Sequence, residues 1–245
     1  YRNQVLYSVF VRNYSQEGTF EALRLDLDRI KSLGVDIIWL MPIHPIGVEG
    51  KKGTLGCPYA NKDYRSVNPE YGTMDDFIRL ADEIHARGMK LMIDVVYNHT
   101  FNVENSNFTQ TCPDYFYRLH ENGELGNASG CGNETASDRQ QMRNYIINST
   151  KYWVNEYHID GFRFDLMAIH DIETMNLISE RLHAIDPDVV IYGEGWAAQA
   201  PAYPAEEIAL KANTYMLDRI GAFSDNIRDA VRGPLGCENA GFMDG

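Results

Sequence analysis

No apolar run in this 245-residue chain approaches the roughly 18–20 residues of a membrane-spanning helix. No membrane insertion is therefore expected. Positive charge is scarce: 22 Lys and Arg stand against 35 Asp and Glu, for a formal net charge of −13. Nucleic acids and anionic lipid surfaces are held by basic patches, so no nucleic acid partner is expected either. A neutral ligand would meet no such repulsion. Cysteine is sparse, and Cys57, Cys112, Cys131 and Cys237 are too far apart to fit a zinc-ligand spacing. They read as free thiols, with one or two disulfides as the alternative. No Gly-rich phosphate loop follows the first apolar segment, which argues against a nucleotide-binding sheet. No Met or signal-like segment opens the chain at Tyr1, so it reads as a processed product or an excerpt, and no compartment can be assigned.

What is present is enough apolar material, 44% of residues, for a sizeable core. Short apolar strands alternate with amphipathic helices along the chain. Strands are predicted at 5–11, 35–42, 90–98, 159–168 and 189–196, with a sixth at 213–220. One helix is predicted from a Thr19 cap through Phe20, Leu23, Leu27 and Ile30 to Gly34, and another opens on a Thr73–Asp76 capping box and stops at Gly88. A long helix is expected after Ser137 and Gln140, and one more over about 171–185 with Asp171 as its N-cap. Residues 101–136, rich in Asn, Gly, Ser and Thr, break the rhythm. Repeated strand–helix units imply a parallel sheet covered by helices. The expected fold is α/β, a (β/α)8 TIM-type barrel with about six strands present and a short subdomain inserted after the third, with an open doubly wound sheet as the structural alternative. The chain divides accordingly into 1–100, 101–136 and 137–245.

The chemistry clusters at predicted strand ends. In "IDGFRFDLMA" (159–168), strand alternation puts Phe162, Phe164 and Leu166 on one face and Gly161, Arg163 and Asp165 on the other. A paired charge is a poor way to stabilise a core, so that face either opens on water or does chemistry. Glu194 ends the following strand, and two carboxylates converging at one barrel mouth are the minimum for glycoside hydrolysis. Beside Arg163, Asp165 would stay ionised while Glu194 served as the acid. The bland alternative is a structural ion pair and a helix cap. Trp39 and Trp153 read as core. His44, His85, His120, His158 and His183 show no ligand spacing and read as surface or local structural residues. His170–Asp171 looks like a catalytic dyad, although a capping role for Asp171 is favoured.

"DVVYNH" (94–99), "GFRFDLM" (161–167) and "YGEGW" (192–196) occur in this order and resemble three of the four signature regions of the α-amylase superfamily, glycoside hydrolase family 13. By that resemblance Asp165 would be the nucleophile, Glu194 the general acid/base and Arg163 the residue that orients Asp165. His99 would hydrogen-bond the sugar nearest the cleaved bond. Tyr59, in "CPYANKDYRSVNPEYGT" (57–73), would stack on the same sugar, and Trp196 is a further candidate contact. Asp94 would be a structural partner of Arg163, and Asn98 a buried polar anchor that binds calcium in some relatives. No cofactor is then required, with calcium an optional ion. The partner would be an α-glucan or maltooligosaccharide. The family's fourth region, an Asn-His-Asp segment, does not follow Trp196, so about three-quarters of a barrel is expected. Residues 1–100 resemble neopullulanase-like and oligosaccharide-acting amylases, whereas from about residue 108 the chain resembles type I pullulanases. The resemblance implies a retaining α-glucan hydrolase favouring α-1,6 bonds. The alternatives are an α-1,4-acting amylase or neopullulanase, a glucanotransferase, and a catalytically incomplete carbohydrate-binding protein or barrel fragment.

Overall fold

The computed structural model describes residues 3–234 and 241–243, so Cys237 lies outside the described residues. Cys57, Cys112 and Cys131 are free thiols. Six parallel strands follow one another in chain order: β1 (Leu6–Val9), β2 (Ile37–Leu40), β3 (Lys90–Val95), β4 (Gly161–Phe164), β5 (Val190–Gly193) and β6 (Gly221–Ala222). They form a half-barrel, part of a (β/α)8 arrangement.

The helices are α1 (Val11–Tyr14), α2 (Phe20–Leu25), α3 (Leu27–Ser32), α4 (Met74–Ala86), α5 (Asn107–Thr111), α6 (Gln140–Tyr157), α7 (Ile172–His183) and α8 (Asp225–Arg232). Strand alternation decides which side chains meet them. Leu91, Ile93, Val95 and Tyr97 join Phe162, Phe164 and Ile38 in one buried cluster with Phe77, Leu80 and Ile84 of α4 and Met142, Ile146 and Trp153 of α6. Met92, Asp94, Arg163 and Trp39 fall on the other parity and lie outside that cluster.

Local signals set most boundaries. Thr73 Oγ1 accepts from Asp76 N at 3.2 Å while the Asp76 carboxylate accepts from Thr73 N at 2.7 Å, the reciprocal pair that opens α4. Gly88, at φ +66°, lets the chain leave that helix. At α7 the Asp171 carboxylate accepts from Thr174 N at 2.8 Å.

Five expectations need correction. The first strand stops at Val9, because Asn13 N donates to Phe10 O and turns Val11–Tyr14 into α1. The helix expected over 19–34 breaks at Asp26, whose φ of −104° and ψ of 6° divide α2 from α3 while its carboxylate binds Tyr14 and Arg29. Ser137 does not open α6. Its hydroxyl donates to Asp171 instead, and Arg139 precedes the helix without a side-chain cap. The sixth strand is not at 213–220: Lys211–Met216 forms 3-10 turns, Tyr215 is exposed, and pairing begins only at Gly221. Leu166 does not share a face with Phe162 and Phe164, since β4 ends at Phe164 and Leu166 turns left-handed at φ +40°.

The excursion between β3 and α6 carries α5 and two antiparallel bridges, Tyr117 to Thr135 and Leu119 to Leu125. Its polar backbone is tied down by buried charge. Arg118 donates to Asp138 at 2.8 Å, to Ile169 O at 2.6 Å and to Ser137 Oγ at 3.2 Å. Glu134, fully buried, accepts from Ala128 N at 2.7 Å and Ala202 N at 2.8 Å. The excursion is thus bound to the segments that follow both β4 and β5.

Candidate active site

Register brings the charged residues to one height. Asp94 pairs with Arg163 across β3 and β4, and Arg163 with Tyr192 across β4 and β5. One rung further on, Asp165 N donates to Val95 O at 3.0 Å and Glu194 N to Phe164 O at 3.1 Å. Asp165 and Glu194 therefore leave the C-terminal ends of neighbouring strands side by side.

Arg163 is the hub. Its Nη1 lies 2.9 Å from Asp94 Oδ1, 3.1 Å from Asp94 Oδ2 and 2.8 Å from Asp165 Oδ1. Its Nη2 lies 2.5 Å from Glu194 Oε1. One guanidinium thus bridges three carboxyl groups, with Asp165 and Glu194 on its two terminal nitrogens. Asn98 Nδ2 donates to Asp165 O at 2.8 Å and to Asp165 Oδ2 at 2.9 Å, so both Asp165 carboxyl oxygens have donors. Asn98 Oδ1 then faces His99 Nδ1 at 2.6 Å, which puts the His99 proton on Nδ1 and leaves Nε2 as an acceptor. Tyr59 Oη donates to Asp94 Oδ2 at 3.1 Å. Glu194 Oε2 accepts from Leu166 N at 3.0 Å.

Burial sets the proton affinities. It pushes the Glu194 carboxyl above the usual range, with Asp165 adding to the push and Arg163 opposing it. Asp94 is pushed up by burial and pulled back by Arg163 and Tyr59. Burial would lower Arg163, but the surrounding carboxylates outweigh it and hold the guanidinium charged. His99 is driven down by burial, which keeps its ring neutral near pH 7.

The candidate residues Asp94, Asn98, His99, Tyr59, Arg163, Asp165 and Glu194 therefore form one hydrogen-bonded network. Trp196 lies beside it by ring contact: its centroid is 6.3 Å from that of Phe223, whose ring lies 5.8 Å from the Arg163 guanidinium carbon. Asn98 spends its amide nitrogen on Asp165, and its Oδ1 faces His99. Among the described residues no cluster of three or more acidic, His or Cys side chains could hold a metal.

Trp39 is not core. Its ring lies 5.8 Å from the Arg163 guanidinium carbon, as does that of Phe223, and Tyr192 packs edge-on against Trp39 at 6.2 Å. The signal for this wall was available in the sequence: alternation on β2 sets Trp39 opposite Ile38 and Leu40, and on β5 sets Tyr192 with Glu194. The His170–Asp171 dyad does not form. Asp171 caps α7, and both His170 ring nitrogens are buried without a partner, its pKa lowered by burial to about 4. Trp153, fully buried, donates Nε1–H to Tyr64 O at 2.9 Å as a core residue.

Parallel strands covered by helices, with a guanidinium among three carboxyl groups at their C-terminal ends, are the scaffold of a (β/α)-barrel with polar groups gathered where such barrels place their active sites. Residues 4–128 match the family described as alpha amylase, catalytic domain, and the chain belongs to that family. It is 35% identical over 215 residues to a pullulanase of Bacillus subtilis, covering 83% of this chain and 30% of that protein. Isoamylase 1 of Arabidopsis thaliana, a chloroplastic protein, is 29% identical over 199 residues, covering 69% of this chain and 25% of its own length. Among solved structures, the pullulanase of Paenibacillus barengoltzii in complex with maltohexaose and alpha-cyclodextrin superposes with a TM-score of 0.91 at 35% identity. The match covers 99% of this chain and 43% of that one. The chain thus spans less than half the length of these relatives.

Proposed function

We propose that this chain carries the nucleophile and the acid/base of a retaining α-glucan hydrolase that cleaves α-1,6 branch linkages. The observation that carries the reading is the single Arg163 guanidinium bridging Asp94, Asp165 and Glu194 at the strand ends. The names of the relatives, pullulanase and isoamylase, support the debranching preference. The maltohexaose in the Paenibacillus complex supports an α-glucan substrate. The division into 1–100, 101–136 and 137–245 accompanies this reading, the first and last parts supplying strand ends and the middle part bound to the segments that follow β4 and β5.

In the proposed reaction Asp165 attacks the anomeric carbon while Glu194 donates its proton to the departing glycosidic oxygen, leaving a glycosyl ester on Asp165. Arg163 and Asn98 hold the Asp165 oxygens in place for attack. The Asp165 charge helps to keep Glu194 protonated before attack. Esterification removes that charge, so Glu194 ionises more readily and serves as base for the water that releases the sugar. His99 Nε2 and the Tyr59 ring are the proposed contacts to the sugar at the reacting centre, with Trp196 beyond them.

Sugar release from pullulan and amylose, beside an Asp165→Asn control, tests the reading. Release from pullulan that falls at least about a thousandfold in the control is expected. Preferential release from amylose would move the linkage to α-1,4. Equal release with and without Asp165 would remove the assignment. An α-configured cyclitol epoxide provides a readout independent of turnover: the peptide carrying Asp165 should gain its mass, and the Asp165→Asn protein should not.

A further inference from the structure

Leu166 is the residue that the arrangement so far leaves unexplained. Left-handed backbone is rare and costly for a branched aliphatic side chain, and such strain persists only where its surroundings enforce it. Here φ is +40° and ψ is 49°, immediately after Asp165. The side chain does not account for it. Leu166 is only partly buried and takes no part in the hydrophobic cluster that holds Phe162, Phe164 and Met167.

The backbone accounts for it better. Leu166 N donates to Glu194 Oε2 at 3.0 Å, and Ala168 N donates to the Glu194 carbonyl at 3.0 Å. An extended residue at 166 would carry the chain onward along the strand and take Ala168 away from β5. The left-handed turn instead folds the chain into the 3-10 segment Met167–Ile169, so that two N–H groups two residues apart grip the side chain and the main chain of one glutamate. The opposite side of the turn is closed by Gly193, where a Cβ would come within 2.6 Å of Phe164 O and 2.8 Å of Met167 Cβ.

We infer that Leu166 is a positioning residue: its left-handed backbone forms a clamp that fixes the Glu194 carboxyl relative to Asp165. The inference rests on the roles proposed for Asp165 and Glu194, and it deepens that reading by tying the two groups together through the main chain. Its consequence for Glu194 is directional. A backbone donor favours the charged carboxylate, so the clamp holds down a proton affinity that burial raises. Arg163 and Asp165 also face this carboxyl, and every variant below retains them.

The experiment follows the Glu194 carboxyl by carbon-13 NMR in glutamate-labelled protein, assigned with Glu194→Gln. Leu166→Val, whose β-branch resists left-handed backbone, should titrate higher than the parent by roughly one pH unit. Leu166→Asn and Leu166→Gly, which accept that backbone, should titrate with the parent. Identical titration in all four proteins, or an equal shift in all three variants, would overturn the inference. Thermal melting of Leu166→Ala and Leu166→Gly provides a second test should the valine variant not fold. The glycine protein should melt higher, against its usual entropic disadvantage. An alanine protein that melts as high or higher would show that no left-handed backbone is enforced. Neither measurement requires turnover, so loss of the hydrolase reading through a silent pullulan assay would leave the clamp separately tested. Where turnover is present, Leu166→Val should lower kcat about tenfold with KM unchanged, and its high-pH limb should move upward with Glu194.

Discussion

At the scale of the residue, Arg163 carries more than any other side chain. Removing an ion from water costs several kcal/mol, and a buried pair seldom returns that as net stability. Arg163 is 6% exposed and Asp94 fully buried, so their contact makes sense as geometry and charge placement more than as a fold stabiliser. The planar fork lets one nitrogen hold Asp94 and Asp165 while the other holds Glu194, and an ammonium has no such fork. Arg163→Lys should therefore lower sugar release at least about a hundredfold while leaving a folded protein. Arg163→Met should cost roughly 3–5 kcal/mol in urea unfolding, because Asp94 is left buried without its partner. If the methionine variant proves as stable as the parent, the pair is dispensable to the fold. These residues were legible because alternation on β4 separates Arg163 and Asp165 from the two phenylalanines. Leu166 was misplaced because that same alternation continues on paper, whereas the strand ends at Phe164.

At the scale of the element, the caps were the most legible features and the breaks the least. Thr73 with Asp76 and Asp171 with Thr174 are local signals, complete within four residues. At the break, the Asp26 carboxylate holds Tyr14 and Arg29 together, and in the 3-10 segment Lys211–Met216 the Asn213 amide reaches Ala205 O and Ile208 O. Such side-chain contacts override a local apolar pattern, and periodicity alone does not reveal them. Asp171 also gives a pH prediction. Burial pushes its carboxyl up, but the Ser137 and Thr174 hydrogen bonds and the Arg143 charge outweigh that and hold it below the usual range. A depressed folded-state value means the contribution is complete above the unfolded value of about 4 and is lost as pH falls through the lower folded value. Asp171→Asn keeps a capping oxygen but loses the charge, and should thus lower stability by about 1–2 kcal/mol at neutral pH, the gap to the parent closing in acid. Urea midpoints at two pH values measure it, and a gap that persists in acid would assign the effect to packing.

At the scale of the whole molecule, the negative balance of 35 acidic to 22 basic residues bears on the ligand. A neutral glucan gains nothing from that field, so salt should leave its affinity almost unchanged. Maltohexaose binding to the Asp165→Asn protein, followed calorimetrically, should vary by less than about twofold between about 50 and 500 mM NaCl. A tenfold change would mean that a charged group of the chain is displaced or recruited on binding. The parallel architecture was readable from the repeated strand–helix units, and so was the position of the excursion after β3. The anchoring of that excursion was not. Arg118 and Glu134 reach Ile169 and Ala202, residues far away in sequence that only the folded chain brings close.

The shared height of Asp94, Arg163 and Tyr192 also governs how such a chain can change over generations. Exchanging a side chain in that rung alters one contact. Deleting one residue from the middle of β4 exchanges the two faces for every position beyond the cut, sending an aromatic ring to the mouth and the guanidinium into the helix layer. Length variation in descendants should therefore gather in the connections after β2, β3 and β5, while the strands themselves accept replacements and refuse gaps. New specificities would then arise in the loops around an inherited charge pattern whose spacing stays fixed.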